Sequence, residues 1–233
     1  MKLHENETFD RFEDRDSGAV FSEVEFRHCN FVNCSISKTH SPSLRSTIRN
    51  VHIPKCPGNG SSHGTAVIEY SRIESLYTNK RFQTFGTAFN QVVLRGRFDR
   101  LMIADDYLPP VLLPEDRRRS EISLFRDANL EFYQNVQWAL NISEAEFKEL
   151  SIRGIPASLI RRDPETQVVV TRERALNCDW SNLSLNENLW PTTIDLFLRG
   201  EDSDVILIAP KRHPKFRRYL EDIHILQKEG IAV

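Results

Sequence analysis

The side chains best suited to metal chemistry are a group of cysteines and histidines between residues 28 and 63. Thiolate and imidazole are the usual ligands of zinc. Cys29 and Cys34 are too far apart, however, to form the compact C-x-x-C pair of a zinc site. We expect these thiols to be reduced, to pack as small apolar side chains, and to bind neither metal nor cofactor. The full set comprises Cys29, Cys34, Cys56, His28, His40, His52 and His63.

A glycine-rich stretch, GNGSSHG at 58–64, could cradle a phosphate group with its backbone N–H groups. It lacks the Gly-Lys-Ser/Thr ending of a P-loop, and no clear helical pattern follows it. Clusters of proline and glycine are typical of loops. The stretch therefore predicts a loop over KCPGNGSSHGT, residues 55–65, rather than a phosphate site.

Nucleophilic or acid–base catalysis finds little support in the sequence. It contains no G-x-S-x-G elbow and no family-specific cysteine signature. Its carboxylate pairs lie beside predicted loops or chain ends, where solvated surface is the expected role. We expect a protein that is not an enzyme. The carboxylate pairs are Glu13-Asp14, Asp105-Asp106 and Glu201-Asp202.

Two basic clusters could bind a partner. The better candidate is DDYLPPVLLPEDRRRSE, residues 105–121, because apolar and aromatic side chains beside arginine have the composition of a binding hot spot. Its prolines predict a loop. The second cluster, Lys211 to Arg218, surrounds a predicted terminal helix, and a solvated face stays an alternative for both. The candidate partner-binding residues are Tyr107, Leu108, Arg117, Arg118 and Arg119.

The strands that must position these residues are predicted from an unusual five-residue spacing of bulky apolar side chains. In AVFSEVEFRHCNFVNCSI, residues 19–36, a bulky apolar residue recurs every fifth position, and the residue two before it is also apolar or a small cysteine. Two residues apart on an extended chain share a face, so each pair predicts a short inward strand. The chain must then turn a corner in every period to keep the bulky residues converging on one interior. These residues are Phe21, Phe26, Phe31 and Ile36.

The same pairing returns at intervals between residues 46 and 185, with interruptions. We expect an inward strand at each recurrence. The pairs are Ser46/Ile48, Val51/Ile53, Ala66/Ile68, Ser71/Ile73, Gly96/Phe98, Leu101/Ile103, Ser123/Phe125, Ala128/Leu130, Leu140/Ile142, Ala145/Phe147, Leu150/Ile152, Cys178/Trp180 and Leu183/Leu185.

The segments AVFSEVEFRHCNFVNCSI, DANLEF, SEAEFKELSI and NCDWSNLSL resemble pentapeptide-repeat proteins. The resemblance implies a mainly β fold, an irregular right-handed β-helix of square cross-section with four pentapeptides to a coil. Ile48 and Ile68, and Ile53 and Ile73, are each one such coil apart and should stack. Interruptions at 55–65, 105–121 and 160–170 predict loop excursions, the last with a turn at Asp163-Pro164.

The end of the chain predicts a different structure. Val205 to Ala209 is a continuous apolar run that suits a strand buried on both faces. Pro214 opens an amphipathic helix that ends at Gly230. We divide the chain into a pentapeptide-like β-helix with an N-terminal cap, residues 1–188, and a C-terminal α/β capping segment, residues 189–233. An alternative role for the last helix is homodimerisation, as in some relatives of that family.

Composition limits the classes of partner. The 233 residues carry a formal charge of −2 and a pI near 6.4, so no overall basic field favours nucleic acid or an anionic membrane. No apolar run is long enough to span a bilayer, and the charged start is unlike a signal peptide. We expect a cytoplasmic protein.

We therefore expect a non-enzymatic β-solenoid that binds a protein partner, in the form of a bacterial inhibitor or immunity-type protein that blocks its target. One alternative is a glycan-binding or glycan-processing β-helix that uses Trp138, Trp180 or Trp190 as stacking platforms. Another is an oligomeric scaffold. The identity of the partner stays open.

Overall fold

The computed structural model describes the backbone of residues 1–59, 62–77, 82–104, 115–186 and 189–233. It describes the side chains of the same residues except 56, 58, 59, 62, 63, 115–122 and 189. The described chain is mainly β, with few helices. The strands are β1 (Lys2–Glu5), β2 (Thr8–Asp10), β3 (Glu13–Arg15), β4 (Val20–Arg27), β5 (Asn30–Val32), β6 (Ser35–Lys38), β7 (Thr47–Asn59), β8 (Ser62–His63), β9 (Val67–Glu69), β10 (Arg72–Glu74), β11 (Leu76–Tyr77), β12 (Phe82–Phe85), β13 (Ala88–Asn90), β14 (Val92–Ala104), β15 (Leu140–Ile152), β16 (Ile160–Arg161), β17 (Gln167–Thr171) and β18 (Asp204–Ile208). The helices are α1 (Glu115–Tyr133), α2 (Arg172–Asn177), α3 (Leu189–Arg199) and α4 (Phe216–Lys228), with single 3₁₀ turns at Pro42–Leu44, Ala157–Leu159 and Trp180–Asn182.

Sixteen of the strands form one parallel sheet, whose longest path runs β1-β4-β7-β10-β14-β12-β8-β6-β3. The distance in sequence between paired residues varies: it is 20 positions for Ile53 and Ile73, 27 for Val24 and Val51, and 48 for Val92 and Leu140. Ile48 pairs with Ile68 and Ile53 with Ile73, as predicted. The backbone N–H of Val51 also donates to Ser71 Oγ, 20 residues later.

Left-handed backbone conformations recur at the five-residue spacing at which the sequence predicts corners. Asn6, Arg11 and Asp16 have φ of 55°, 55° and 48°. Glu23 in β4 and His28 directly after it are also left-handed and are again five residues apart. Asparagine and aspartate tolerate this region, but for other L-residues it costs about 1–2 kcal/mol each. The cost is spread along the chain and is offset by the parallel hydrogen bonds on either side.

The predicted loop at 55–65 is wrong over its described part. Lys55–Asn59 completes β7, and Ser62–His63 forms β8, which pairs with β6 and β12. Parallel neighbours on both sides satisfy the backbone there, and this outweighs the weak strand propensity of glycine and proline. Gly64 allows close packing, because a Cβ at that position would overlap the carbonyl oxygen of Ser37.

Two predicted repeat segments are wrong. The pairs Ser123/Phe125 and Ala128/Leu130 lie in α1, where the apolar contacts follow a helical spacing. Residues 177–185 form the end of α2 and a 3₁₀ turn, not strands. A residue pair two apart with polar neighbours also fits a helix surface, so the short motif does not separate the two structures.

The C-terminal part covers one end of the parallel sheet. β17 and β18 form an antiparallel pair, and the strand at Val205–Ile208 is buried on both faces, as predicted. Val169, Ile206 and Ile208 belong to the core cluster of the parallel sheet. Their neighbours Val168, Val170, Val205 and Leu207 belong to a second cluster with the helices. The second cluster includes Cys178, Trp180, Leu183 and Leu185, so its packing starts well before residue 189.

The predicted terminal helix is α4. Tyr219, Ile223 and Leu226 form a buried stripe against the second cluster. Asp222 is fully buried beside them, and its carboxylate accepts hydrogen bonds from Trp190 Nε1 (3.1 Å) and the backbone N–H of Asn186 (2.7 Å). The apolar face of α4 is thus used inside the molecule.

The opposite end of the sheet is built differently. Residues 2–15 contain β1, β2 and β3, each paired with one later strand. Asp14 ties the third strand to its neighbours by accepting hydrogen bonds from Ser46 Oγ (2.6 Å), the backbone N–H of Ser37 (2.9 Å) and Ser17 Oγ. Burial alone would raise the pKa of the Asp14 carboxyl, but these hydrogen bonds outweigh it and lower the pKa.

Among the described residues, no helix combines the length and apolar character needed to cross a lipid bilayer.

Candidate functional site

The segment between β14 and β15 interrupts the sequence without interrupting the sheet. β14 precedes this segment and β15 follows it. The two strands pair in parallel, from Val92 with Leu140 to Ile103 with Ile152. Val92 and Leu140 are 48 positions apart, whereas Ile53 and its partner Ile73 are 20 apart, so the connection between Ala104 and Leu140 is longer than the parallel pairing requires. It contains α1 and the predicted binding residues.

The C-terminal half of α1 is fixed to the sheet. Phe125, Asn129 and Tyr133 are buried and spaced one helical turn apart. The backbone N–H of Phe89 donates to the hydroxyl oxygen of Tyr133 (3.3 Å). Burial raises the pKa of Tyr133, so this group stays a neutral phenol. These contacts give the helix a defined position on the sheet.

Arg45 is the central polar contact of this attachment. Its guanidinium donates to Asn129 Oδ1 (2.8 Å) and to the carbonyl oxygens of Gly86 (3.2 Å) and Phe125 (3.3 Å). It also lies 4.8 Å from the centre of the Phe125 ring. Burial lowers the pKa of Arg45 to about 10, because these partners are neutral and do not compensate for the lost hydration. Sequence reasoning missed Arg45, because its partners lie 41 or more positions away in sequence.

The predicted binding residues divide into two groups. Arg117, Arg118 and Arg119 lie in the first turns of α1, so the prediction that they occupy a loop is wrong. Their side chains, together with Tyr107 and Leu108, lie outside the described part of the structure. Further along α1, Leu124 and Leu130 are 47% and 49% exposed, which leaves apolar surface on the helix.

The outer surface of the sheet carries rows of opposite charge. Neighbouring strands place Arg95 beside Glu144 (3.0 Å) and Arg100 beside Glu149 (3.5 Å). Exposed pairs of this kind contribute little stability. They do give the face a regular pattern of fixed charges.

The cysteines and histidines do not assemble in the described part of the chain, where no three metal-ligating side chains come together. Cys29 and Cys34 point inward and are buried, as predicted. The thiol of Cys29 contacts the carbonyl oxygens of His4 (3.4 Å) and Arg27 (3.5 Å), and burial raises its pKa. A protonated, buried thiol is a poor nucleophile.

The three tryptophans are engaged within the molecule. Trp190 is buried, and Trp180 is partly buried with its Nε1 donating to the carbonyl oxygen of Ala175 (3.0 Å). The guanidinium of Arg161 lies 4.2 Å from the centre of the Trp138 ring. This arrangement gives the sugar-stacking hypothesis no positive support.

No family model matches the sequence, no curated protein matches it, and no solved structure matches the fold. The resemblance to pentapeptide-repeat proteins therefore stays a prediction from the sequence.

Proposed function

We propose that this chain is a non-enzymatic protein-binding protein, in which a right-handed, pentapeptide-like β-helix holds the insertion at 105–133 for a protein partner. The helical winding is supported by parallel partners about 20 residues apart and by left-handed residues at five-residue intervals. We infer an inhibitor or immunity-type protein, because such a protein can use a rigid frame to present a long insertion to its target.

One observation carries the proposal: Val92 pairs with Leu140, 48 positions later, whereas Ile53 pairs with Ile73, 20 positions later, so the connection between β14 and β15 is longer than the pairing requires. The part of this connection that exceeds the length needed for pairing is free to serve binding. Arg45 and Tyr133 fix the base of this segment, which lowers the entropy that a partner must remove on binding.

The charge of α1 adds support. Arg117, Arg118 and Arg119 lie near the N-terminus of the helix, where the helix dipole disfavours cations by about 0.3–1 kcal/mol each. Helix stability therefore does not explain the cluster. A partner with an acidic surface would explain it, because electrostatic attraction speeds association and selects the partner.

The test is affinity capture from the native cell extract with matched variants. The insertion variant carries Arg117→Glu, Arg118→Glu and Arg119→Glu. The control carries Arg11→Glu, Arg217→Glu and Lys228→Glu, an equal change of charge at exposed sites elsewhere. We expect a protein that the unaltered chain and the control retain and the insertion variant loses.

A partner retained equally by both variants would contradict the proposed site. A reaction that is lost when one surface carboxylate is neutralised would instead contradict the non-enzymatic function. A screen for glycan binding tests the alternative function, since saturable binding of a sugar would favour a glycan-binding protein over a protein-binding one.

A further inference from the structure

The interior of the parallel sheet contains a cavity of about 420 Å³. This volume falls within the range of roughly 300–1,000 Å³ found for small-molecule sites. His4, Phe26, Ile53, Ile73 and Leu94 line it in successive strand rows. Because neighbouring strands are about 4.8 Å apart, five rows give a length of roughly 20 Å. The cavity is therefore long and narrow.

Small inward side chains create the space. Val24 and Val51 are neighbours in β4 and β7, and Ser71 follows in the next row, all three on the cavity wall. Larger residues at these positions would fill the interior. At the far end Phe98 packs against Phe147, with ring centres 5.3 Å apart, and closes the cavity.

The near end lies at the first strand row. The outer edges of β1, β2 and β3 carry no further strand in the described chain. Phe12 lines the cavity there and is 44% exposed. The described residues thus leave this end in contact with solvent, and a chain-like molecule could enter along the axis of the sheet.

Two basic side chains line the same entrance. Lys2 and His4 alternate along β1 and both face the cavity. The His4 ring stacks on Phe26 with centres 5.4 Å apart, and its Nδ1 lies 2.9 Å from Glu7 Oε1. The His4 ring is therefore engaged by Glu7, whereas Lys2 supplies a cation on the rim of an apolar cavity.

One polar group deep in the cavity has no partner among the described residues. Thr84 is 4% exposed, it lines the cavity, and its hydroxyl makes no hydrogen bond. Buried hydroxyl groups are normally satisfied. Thr84 therefore marks a second place where a polar atom of a ligand could sit, at the end of the cavity opposite Lys2.

We propose that this cavity binds a single-chain amphipathic carboxylate, with its alkyl chain along the axis and its carboxylate beside Lys2. Long apolar walls match an alkyl chain. The exposed cation at the entrance matches an anionic head that stays hydrated, whereas burial of a carboxylate beside Thr84 would remove its hydration without a compensating charge. The head therefore belongs at the rim.

The test uses the full chain and dodecanoate below its micelle concentration, followed by isothermal titration and by NMR of isoleucine methyl groups. We expect saturable binding of one molecule per chain. Shifts should be confined to residues on the cavity wall such as Ile53 and Ile73, while Ile194 and Ile223 in the helical cluster stay unchanged. Neutral dodecanol should bind several-fold more weakly.

Paired variants test the position of the chain. Val24→Phe adds a ring inside the cavity and should weaken binding at least ten-fold. Val20→Phe makes the same change at a 62% exposed site on the same strand and should leave binding unchanged. If Val24→Phe unfolds the protein, Val51→Leu fills less of the cavity and should weaken binding several-fold.

A second set of variants tests the position of the head. Lys2→Glu should weaken dodecanoate binding about ten-fold but leave dodecanol unchanged, and Arg11→Glu should change neither. Thr84→Val should leave dodecanoate binding within two-fold. A loss of binding in Thr84→Val with no loss in Lys2→Glu would overturn the proposed orientation.

Three further outcomes would overturn the proposal. They are the absence of saturable binding, equal binding by Val24→Phe and Val20→Phe, and binding to phospholipid vesicles without binding to free dodecanoate. The last result would assign the affinity to a membrane surface rather than to the cavity.

Discussion

The two ends of the same sheet interior are closed in different ways. At the C-terminal end, Val169, Ile206 and Ile208 from an antiparallel strand pair pack onto the parallel strands. At the N-terminal end, the first three strands border a cavity, and Phe12 and its neighbours contact solvent. The comparison shows that closure requires residues from a distant part of the chain, since the repeating strands alone leave their aromatic rings half-buried.

The largest expected effect comes from truncating a buried phenylalanine at the closed end, and truncating a phenylalanine at the open end should cost less. Phe147→Ala removes a ring that is 1% exposed and should lower the free energy of unfolding by about 3–5 kcal/mol. Phe26→Ala removes a half-buried ring beside an existing cavity and should cost about 1–2 kcal/mol. Urea unfolding monitored by circular dichroism measures both. Equal losses would contradict the difference between the ends.

A somewhat smaller effect is expected in the closing segment itself. Asp222→Ala leaves the Trp190 Nε1–H and the Asn186 N–H without their acceptor in a fully buried site. We expect a loss of about 2–3 kcal/mol in unfolding free energy. Hydrogen exchange should show the greatest loss of protection in β18 and α4. An equal loss in β1 to β3 would mean that the closing segment does not unfold separately.

The Asp14 carboxylate, at the open end, should contribute less to the free energy of unfolding than Asp222, and its contribution should depend on pH. Asp14→Asn weakens the hydrogen bonds from Ser17, Ser37 and Ser46 and should cost about 1 kcal/mol. The pKa of Asp14 is lower in the folded chain than in the unfolded chain, so its contribution is present above about pH 4 and is lost as the pH falls through the folded pKa.

Thermal melts of the unaltered chain and of Asp14→Asn between about pH 2 and pH 6 test whether the stabilisation by Asp14 falls on acidification. This range brackets the ordinary aspartate pKa of about 3.9. The difference between the two proteins should shrink as the pH falls. A difference that grows on acidification would contradict the assigned direction.

The smallest effect is expected on the outer surface between the two ends. Arg100→Ala removes an exposed pair with Glu149 and should change the unfolding free energy by less than about 1 kcal/mol. The same substitution at Arg45 removes buried hydrogen bonds to Asn129 and to two carbonyl groups, so it serves as the contrasting control. A larger effect for Arg100 than for Arg45 would show that surface charge rows govern stability.

The sequence predicted the strands wherever the five-residue register was unbroken. Phe21, Phe26, Phe31 and Ile36 line a common interior, as that register requires, although the interior at this end is a cavity rather than a filled core. The terminal strand and helix were also predicted. The register failed at 123–132 and at 177–185, because two residues with apolar side chains and polar neighbours fit a helix as well as a strand.

The candidate sites were harder to predict. Arg45 acts through partners more than forty positions away in sequence, so no local pattern could identify it. The cavity depends on the summed volumes of side chains from five strand rows, each of which is ordinary by itself. Both features are products of three-dimensional packing, in which a difference of one methylene group matters.

The junction between Ala104 and Leu140 also suggests how this fold could be engineered. Closing a longer connection costs only about 0.6 kcal/mol for each doubling of its length. Since the flanking strands already tolerate a large insertion there, a foreign domain whose termini lie close together could be grafted at this point. Such a chimaera would display its cargo at a defined position between β14 and β15.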